Sequence, residues 1–153
     1  MKNNFYKKGI TILEILIAIA ILGIIVAIAL PQFSKMRENQ VLKNATSEIL
    51  SSISKARSQT LSSVDSSEYG VHFQSDKVII FKGNSFDIND EDNENIEIIL
   101  PANISSINFS GGGSEIYFSR LSGIPNKTGT IIISTSNMTK TITISATGLA
   151  SLN

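Results

Sequence analysis

From Ile10 to Leu30 the chain is apolar at 18 of 21 positions, broken only by Thr11, Glu14 and Gly23. As a helix rising roughly 1.5 Å per residue, this run spans about 30 Å, the thickness of a bilayer core. After Pro31 the pattern becomes amphipathic. Val41, Ala45, Ile49 and Ile53 recur every fourth residue, Ala56, Thr60 and Val64 continue the line, and Leu42 and Leu50 flank it. That spacing predicts one apolar stripe on a helix running to about Leu61. Because the pattern resumes at once, Pro31 is expected to kink the helix and not to stop it. The stripe's C-terminal half is expected to pack on a domain of the same chain, and the half near the membrane on neighbouring helices.

From Asp65 onward the period falls towards two. Tyr69–Phe73, Lys77–Lys82, Ile96–Leu100, Ser105–Phe109, Glu115–Phe118, Gly129–Ser134 and Lys140–Ser145 read as short strands rich in isoleucine and phenylalanine. Residues 140–145 alternate cleanly, so one face is buried and the other wet. Ile131, Ile132 and Ile133 suit a strand buried on both sides or paired centrally. Residues 84–95 and Gly111–Gly113 read as loops. The fold class expected is α+β, a long N-terminal helix on antiparallel sheets. Four segments follow: a leader over 1–9, an apolar helix over 10–30, an amphipathic helix over 31–64 and a β domain over 65–153.

Composition narrows the function. The chain has 153 residues, with 13 Lys and Arg against 13 Asp and Glu, which does not suit a strongly basic nucleic-acid binder. The absence of cysteine removes disulfide scaffolds, cysteine nucleophiles and thiolate metal sites. A single histidine, His72, rules out a multi-histidine metal centre.

Charge also sets topology. Lys2, Lys7 and Lys8 precede the apolar run, with no acid in the first nine positions. The positive-inside rule keeps that end in the cytoplasm and places the C-terminal domain across the membrane. A secretory signal peptide is the alternative. Ala27 and Ala29 imitate its cleavage site, but the run is long for such a signal. Glu14 stands out, because a carboxylate within a membrane helix costs on the order of 2.5–3.5 kcal/mol on insertion scales. No base between Ile10 and Leu30 neutralises it. It must reach the cytoplasmic face or find a partner from elsewhere.

Lys7-Lys8-Gly9 followed by Ile10-Thr11-Ile12-Leu13-Glu14 resembles the type IV prepilin processing signal. The resemblance implies that prepilin peptidase cuts after Gly9 and methylates the new amine on Ile10. It further implies that Glu14, at the fifth mature position, pairs with the amine of a neighbouring subunit in a filament. Gly23 and Pro31 fall where pilins often carry helix-weakening residues. Ile10 stands where phenylalanine is commoner, and Ile12-Leu13 where Leu-Ile is frequent. Neither difference alters the chemistry.

The rest of the chain resembles one branch of that superfamily. Residues 54–60 (Ser-Lys-Ala-Arg-Ser-Gln-Thr), Ile116-Tyr117-Phe118 with Gly123, Gly129-Thr130-Ile131, and Ile142-Thr143-Ile144 leading to Thr147-Gly148 look like the GspH/FimT family. Those are minor pseudopilins of type II secretion and minor pilins of type IV pili. The resemblance implies a non-enzymatic subunit without cofactors. Its partners would be prepilin peptidase, other pilins or pseudopilins and an inner-membrane assembly platform. It would span the inner membrane once before entering a filament. A DNA-binding minor pilin of an uptake system, or a major pilin, are the competing expectations. The former is disfavoured because residues 66–153 carry nine acids against five bases and residues 141–153 carry no base.

Other candidate chemistry reads as structural. The acidic stretch 87–95 invites a calcium site, but an EF-hand loop needs glycine where Asp92 stands and glutamate where Ile98 stands. A solvated acidic loop is the better reading. No nucleophile elbow accompanies His72, which is expected on a surface or an edge strand. Gly111–Gly113 lacks the frame and following helix of a phosphate cradle. Asn44, Asn103, Asn126 and Asn137 begin sequons that matter only where a glycosylation system exists.

Overall fold

The structure, a computed structural model, describes residues 9–153. One helix, α1 (Ile12–Leu61), runs through both Gly23 and Pro31. Eight antiparallel strands follow: β1 (Tyr69–Phe73), β2 (Lys77–Lys82), β3 (Glu94–Glu97), β4 (Asn103–Phe109), β5 (Glu115–Phe118), β6 (Gly129–Ser134), β7 (Thr139–Ile144) and β8 (Ala150–Leu152). The chain divides into two units, one ending at Arg37 and the other running from Glu38 to Asn153. In the first unit, the helix from Ile12 to Ile28 is exposed along its whole length. It is long and apolar enough to cross a membrane. No position in it is spared for a protein interior, as expected where lipid or other helices are the solvent.

The second unit, the head, is built around the amphipathic stretch of α1. Leu42, Ala45, Ile49, Ile53 and Ala56 are buried, with Val41 and Leu50 packed at the margin. Val64 lies beyond the helix, in a short 3-10 turn (Val64–Ser66), and is exposed. The polar residues Thr46, Ser52 and Thr60 are also buried. Their hydroxyls donate to the carbonyls four residues back, Leu42, Glu48 and Ala56, at 2.6, 2.8 and 3.0 Å. A hydroxyl satisfied within its own helix can enter a core without desolvation loss.

The strands form two four-stranded sheets, ordered β3-β2-β1-β5 and β4-β6-β7-β8. Their inward residues meet the helix in one core. Val71, Phe73, Ile80, Ile116 and Phe118 come from the first sheet, and Ile131, Ile133, Ile142 and Ile144 from the second. The rings of Phe73 and Phe109, 5.7 Å apart, join the two. The sixth strand is central, so Ile131 and Ile133 are buried while Ile132 is half-buried on the other face.

Two expectations need correction, and the structure adds one strand. The third strand spans Glu94–Glu97 and not residues 96–100, because its pairing with β2 sets Lys77 against Glu97 and Ile80 against Glu94. The chain then turns at the cis Leu100-Pro101 bond. The edge strand β8 is three residues long, too short for a periodicity to reveal. His72 is half-buried and does not lie on an edge. The strand carrying it is internal, and its ring stacks on Phe86 with centroids 4.1 Å apart. Phe86 and Phe81 cover this outer face of the first sheet, with Ile79 buried beside them. Opposite Phe81 stands Gly70, and a Cβ there would lie 2.7 Å from Cε1 of that ring. The glycine leaves room for the aromatic to lie across the strand.

Candidate processing and assembly site

The peptide bond from Gly9 to Ile10 is exposed and precedes regular structure. Nothing lies within 4 Å of where a Cβ on Gly9 would stand, and the same holds at Gly23. Neither glycine is needed for packing among the described residues. The leader residues Lys2, Lys7 and Lys8 lie outside the described residues.

Helix α1 begins with a cap that explains part of the placement of Glu14. The Oγ1 of Thr11 accepts the backbone N–H of Glu14 at 3.2 Å, and the Thr11 carbonyl accepts from Ile15 at 3.3 Å. Thr11 is thus the N-cap and Glu14 the third helical residue, the Thr-x-x-Glu spacing of a capping box. A carboxylate there is also favoured by the unpaired N–H groups of the first turn. The acid therefore has a local role in starting the helix. That signal stands in the sequence as Thr11-Ile12-Leu13-Glu14, and periodicity alone overlooks it. The Glu14 carboxylate itself makes no hydrogen bond or ion pair among the described residues. It remains available to a partner. Pro31 and Gly23 both sit inside the helix.

A second constellation lies in the head, around Arg57. Its Nε donates to the carbonyl of Gly123 at 3.1 Å and its Nη2 to the carbonyl of Thr147 at 3.2 Å. Gly123 and Gly148 both have left-handed backbone, φ +62° and +79°. A Cβ on Gly148 would fall inside the Gly123 carbonyl and 2.8 Å from Arg57 Nε. Leu50, Ile53, Ser54 and Leu149 complete a pocket of about 90 Å³ beside them. One turn on, the buried Thr60 hydroxyl accepts the Tyr69 N–H at 2.9 Å, which locks the helix end to the start of β1. Residues 57, 60, 123 and 147–148 are far apart in sequence, and the fold brings them to one end of the helix.

The electrostatics there are local. Lys82 lies 3.1 Å from Asp65 Oδ2 and 3.5 Å from Asp92 Oδ2. The hydrogen bond and charge of Lys82 hold the Asp65 carboxyl below the ordinary aspartate value. Asp65 in turn, chiefly through that hydrogen bond, raises the Lys82 ammonium. Desolvation raises the Tyr69 phenol, whose hydroxyl donates to Asp65 at 3.3 Å. In the acidic loop, Asp87 and Asp90 spend a carboxylate oxygen on the N–H of Asn89 and Asp92, each at 2.9 Å. Those oxygens close turns. Lys127 Nζ donates to Gly112 O at 2.9 Å in the glycine loop, whose three residues all have positive φ.

Residues 4–30 match a family model described as the prokaryotic N-terminal methylation motif. No curated protein and no solved structure matches the chain. The motif covers Gly9, Ile10 and Glu14, and ends one residue before Pro31. It indicates a type IV pilin-like protein processed by prepilin peptidase, and the long apolar start of α1 fits membrane anchoring.

Proposed function

We propose that the chain is a minor pilin or pseudopilin of the GspH/FimT type, a structural and non-enzymatic subunit of a type IV pilus or a type II secretion pseudopilus. The observation that carries this reading is the methylation motif set on an exposed Gly9-Ile10 bond, directly before a fully exposed apolar helix. The protein inserts once with its N-terminus in the cytoplasm, loses residues 1–9, and is methylated on Ile10. Its apolar helix then passes from lipid into the core of a filament, where Glu14 meets the amine of a neighbour. The head faces outward towards other subunits. Convergence of Arg57, Thr60, Gly123 and Gly148 supports the GspH/FimT branch, since these belong to the segments that carry that resemblance.

Processing removes three lysines, leaving 10 bases against 13 acids. That balance does not favour nucleic acid as the partner. The test is mass spectrometry of the natively expressed chain. A mature N-terminus at Ile10 carrying one added methyl group is expected. An intact Met1, or cleavage near Ala29, would sink the proposal.

A further inference from the structure

The two edges of the first sheet are finished differently. At β5 the outer side is sealed: the Asn126 N–H donates to Tyr117 O at 3.0 Å, and the Tyr117 N–H to Asn126 Oδ1 at 2.9 Å. At the other edge, β3 pairs with β2 alone. The Gln74 N–H donates to Lys77 O and the Gly83 N–H to Glu68 O, so β2 turns the backbone groups of its odd-numbered residues to β1. Its even-numbered ones face β3, as in the bond from the Ile98 N–H to Asp76 O at 2.8 Å. In that register Glu94 and Ile96 bond to β2, while Asn95 and Glu97 turn their N–H and C=O groups to the open side. Among the described residues no other backbone segment bonds to those two.

A groove runs beside this edge. About 260 Å³ lies between the exposed Glu48, Ser51 and Lys55 of α1 and the inner side of β3, where Ile96 is half-buried. The charge around it is one-sided. From Gly83 to Glu97 the chain carries six acids and no base. Lys55 pairs with Glu94, Lys82 lies 3.5 Å from Asp92, and Lys77 stands opposite Glu97 in the register. Asp87, Asp90, Glu91 and Glu97 are in no ion pair among the described residues, and Glu48 adds a further acid at the groove.

An open edge with a groove behind it suits strand addition, in which backbone bonds give affinity and pockets for alternate side chains give selectivity. A second copy of the chain is a poor occupant, because pairing β3 with β3 brings the glutamates of both copies together. We propose that β3 is the docking edge for an extended segment of a different protein, one that alternates apolar and basic residues. Its backbone adds a fifth strand to the four-stranded sheet against Asn95 and Glu97. An apolar side chain opposite Ile96 enters the groove, and basic side chains opposite Asn95 and Glu97 meet the acids. Docking uses the head alone, so it holds whether or not the chain enters a filament.

The probe is a short blocked peptide alternating valine and lysine, labelled and titrated by fluorescence anisotropy against the full-length chain in non-ionic detergent. Saturable binding is expected. N-methylation of every second amide gives two forms of the peptide. The set that faces β3 should weaken binding at least about tenfold, and the set that faces away should not. Glu97→Lys, with circular dichroism like wild type, should weaken binding about fivefold. Ser51→Trp, at an exposed helix position, should close the groove and erase the advantage of valine over alanine in the peptide. Absence of saturable binding overturns the proposal, as does equal binding of the two methylated forms or of a peptide with glutamate in place of lysine. An undiminished preference for valine in Ser51→Trp overturns it as well.

Discussion

Gly148→Ala should be among the most damaging single substitutions in the head, and Gly112→Ala, though similar in backbone, should not. Both glycines have left-handed φ, +79° and +72°. Each alanine therefore pays the left-handed penalty of about 1 kcal/mol. At Gly112 nothing lies within 4 Å of the new Cβ, so the cost ends there. At Gly148 the methyl would overlap the Gly123 carbonyl, which is backbone and cannot rotate away, and would press on Arg57 Nε at 2.8 Å. Overpacking of this kind costs about 1–3 kcal/mol. Displacing Arg57 also loosens its bonds to Gly123 and Thr147, each worth roughly 1 kcal/mol at a partly exposed site. The sum is about 4–6 kcal/mol for Gly148→Ala against about 1 kcal/mol for Gly112→Ala. Urea unfolding of the full-length chain in mild detergent, followed by the loss of β signal in circular dichroism, measures both. Equal losses for the two variants would refute the argument that Arg57 and the two glycines form one packed junction.

Further outcomes follow from the same structure. Thr60→Val keeps the side-chain shape but strands the buried Tyr69 N–H, so it should lower stability by about 1–3 kcal/mol in the same unfolding assay. Glu14→Ala should still insert, be cut after Gly9 and keep a normal head, because the Thr11 cap survives. On the proposed pairing of Glu14 with a neighbour's amine it should enter filaments poorly, since that amine is then left uncompensated at about 3–5 kcal/mol; Glu14→Asp should be intermediate, and wild-type co-purification of Glu14→Ala with filaments would disprove this. The Asp65–Lys82 pair should act as a plateau in pH. With Asp65 lowered, its contribution is present above pH 3.8 and is lost as pH falls through its folded value. With Lys82 raised, the contribution persists below pH 10.5 and is lost as pH rises through its folded value. Lys82→Met should therefore narrow the unfolding difference from wild type at both extremes, as read by unfolding across pH.

Elements governed by local pattern were legible in the sequence. The four-residue spacing from Val41 to Ile53 is the stripe that the head buries, and alternation in residues 140–145 places Ile142 and Ile144 inside. What periodicity could not supply is pairing between distant segments. No spacing around Arg57 points to Gly123 and Thr147, 66 and 90 positions away, which accept its hydrogen bonds. His72 looked peripheral because its burial comes from Phe86, on a loop whose polar composition gives no hint that it folds back. Thr11 was missed for another reason. Its signal is a four-residue cap, and the apolar run that follows dominates any reading of that stretch.

Every buried residue of α1 lies at Leu42 or beyond. Among the described residues, the core of the head is thus finished without any side chain from positions 9–37. The two parts consequently answer to different judges. Substitutions between Ile12 and Leu30 are weighed by whatever surrounds that stretch, whether acyl chains or sister helices, and go unnoticed by the core. Substitutions in the head are weighed by its own isoleucines and phenylalanines. One gene can therefore keep its passage into a shared assembly fixed while its outer surface drifts towards new neighbours, with neither change taxing the other.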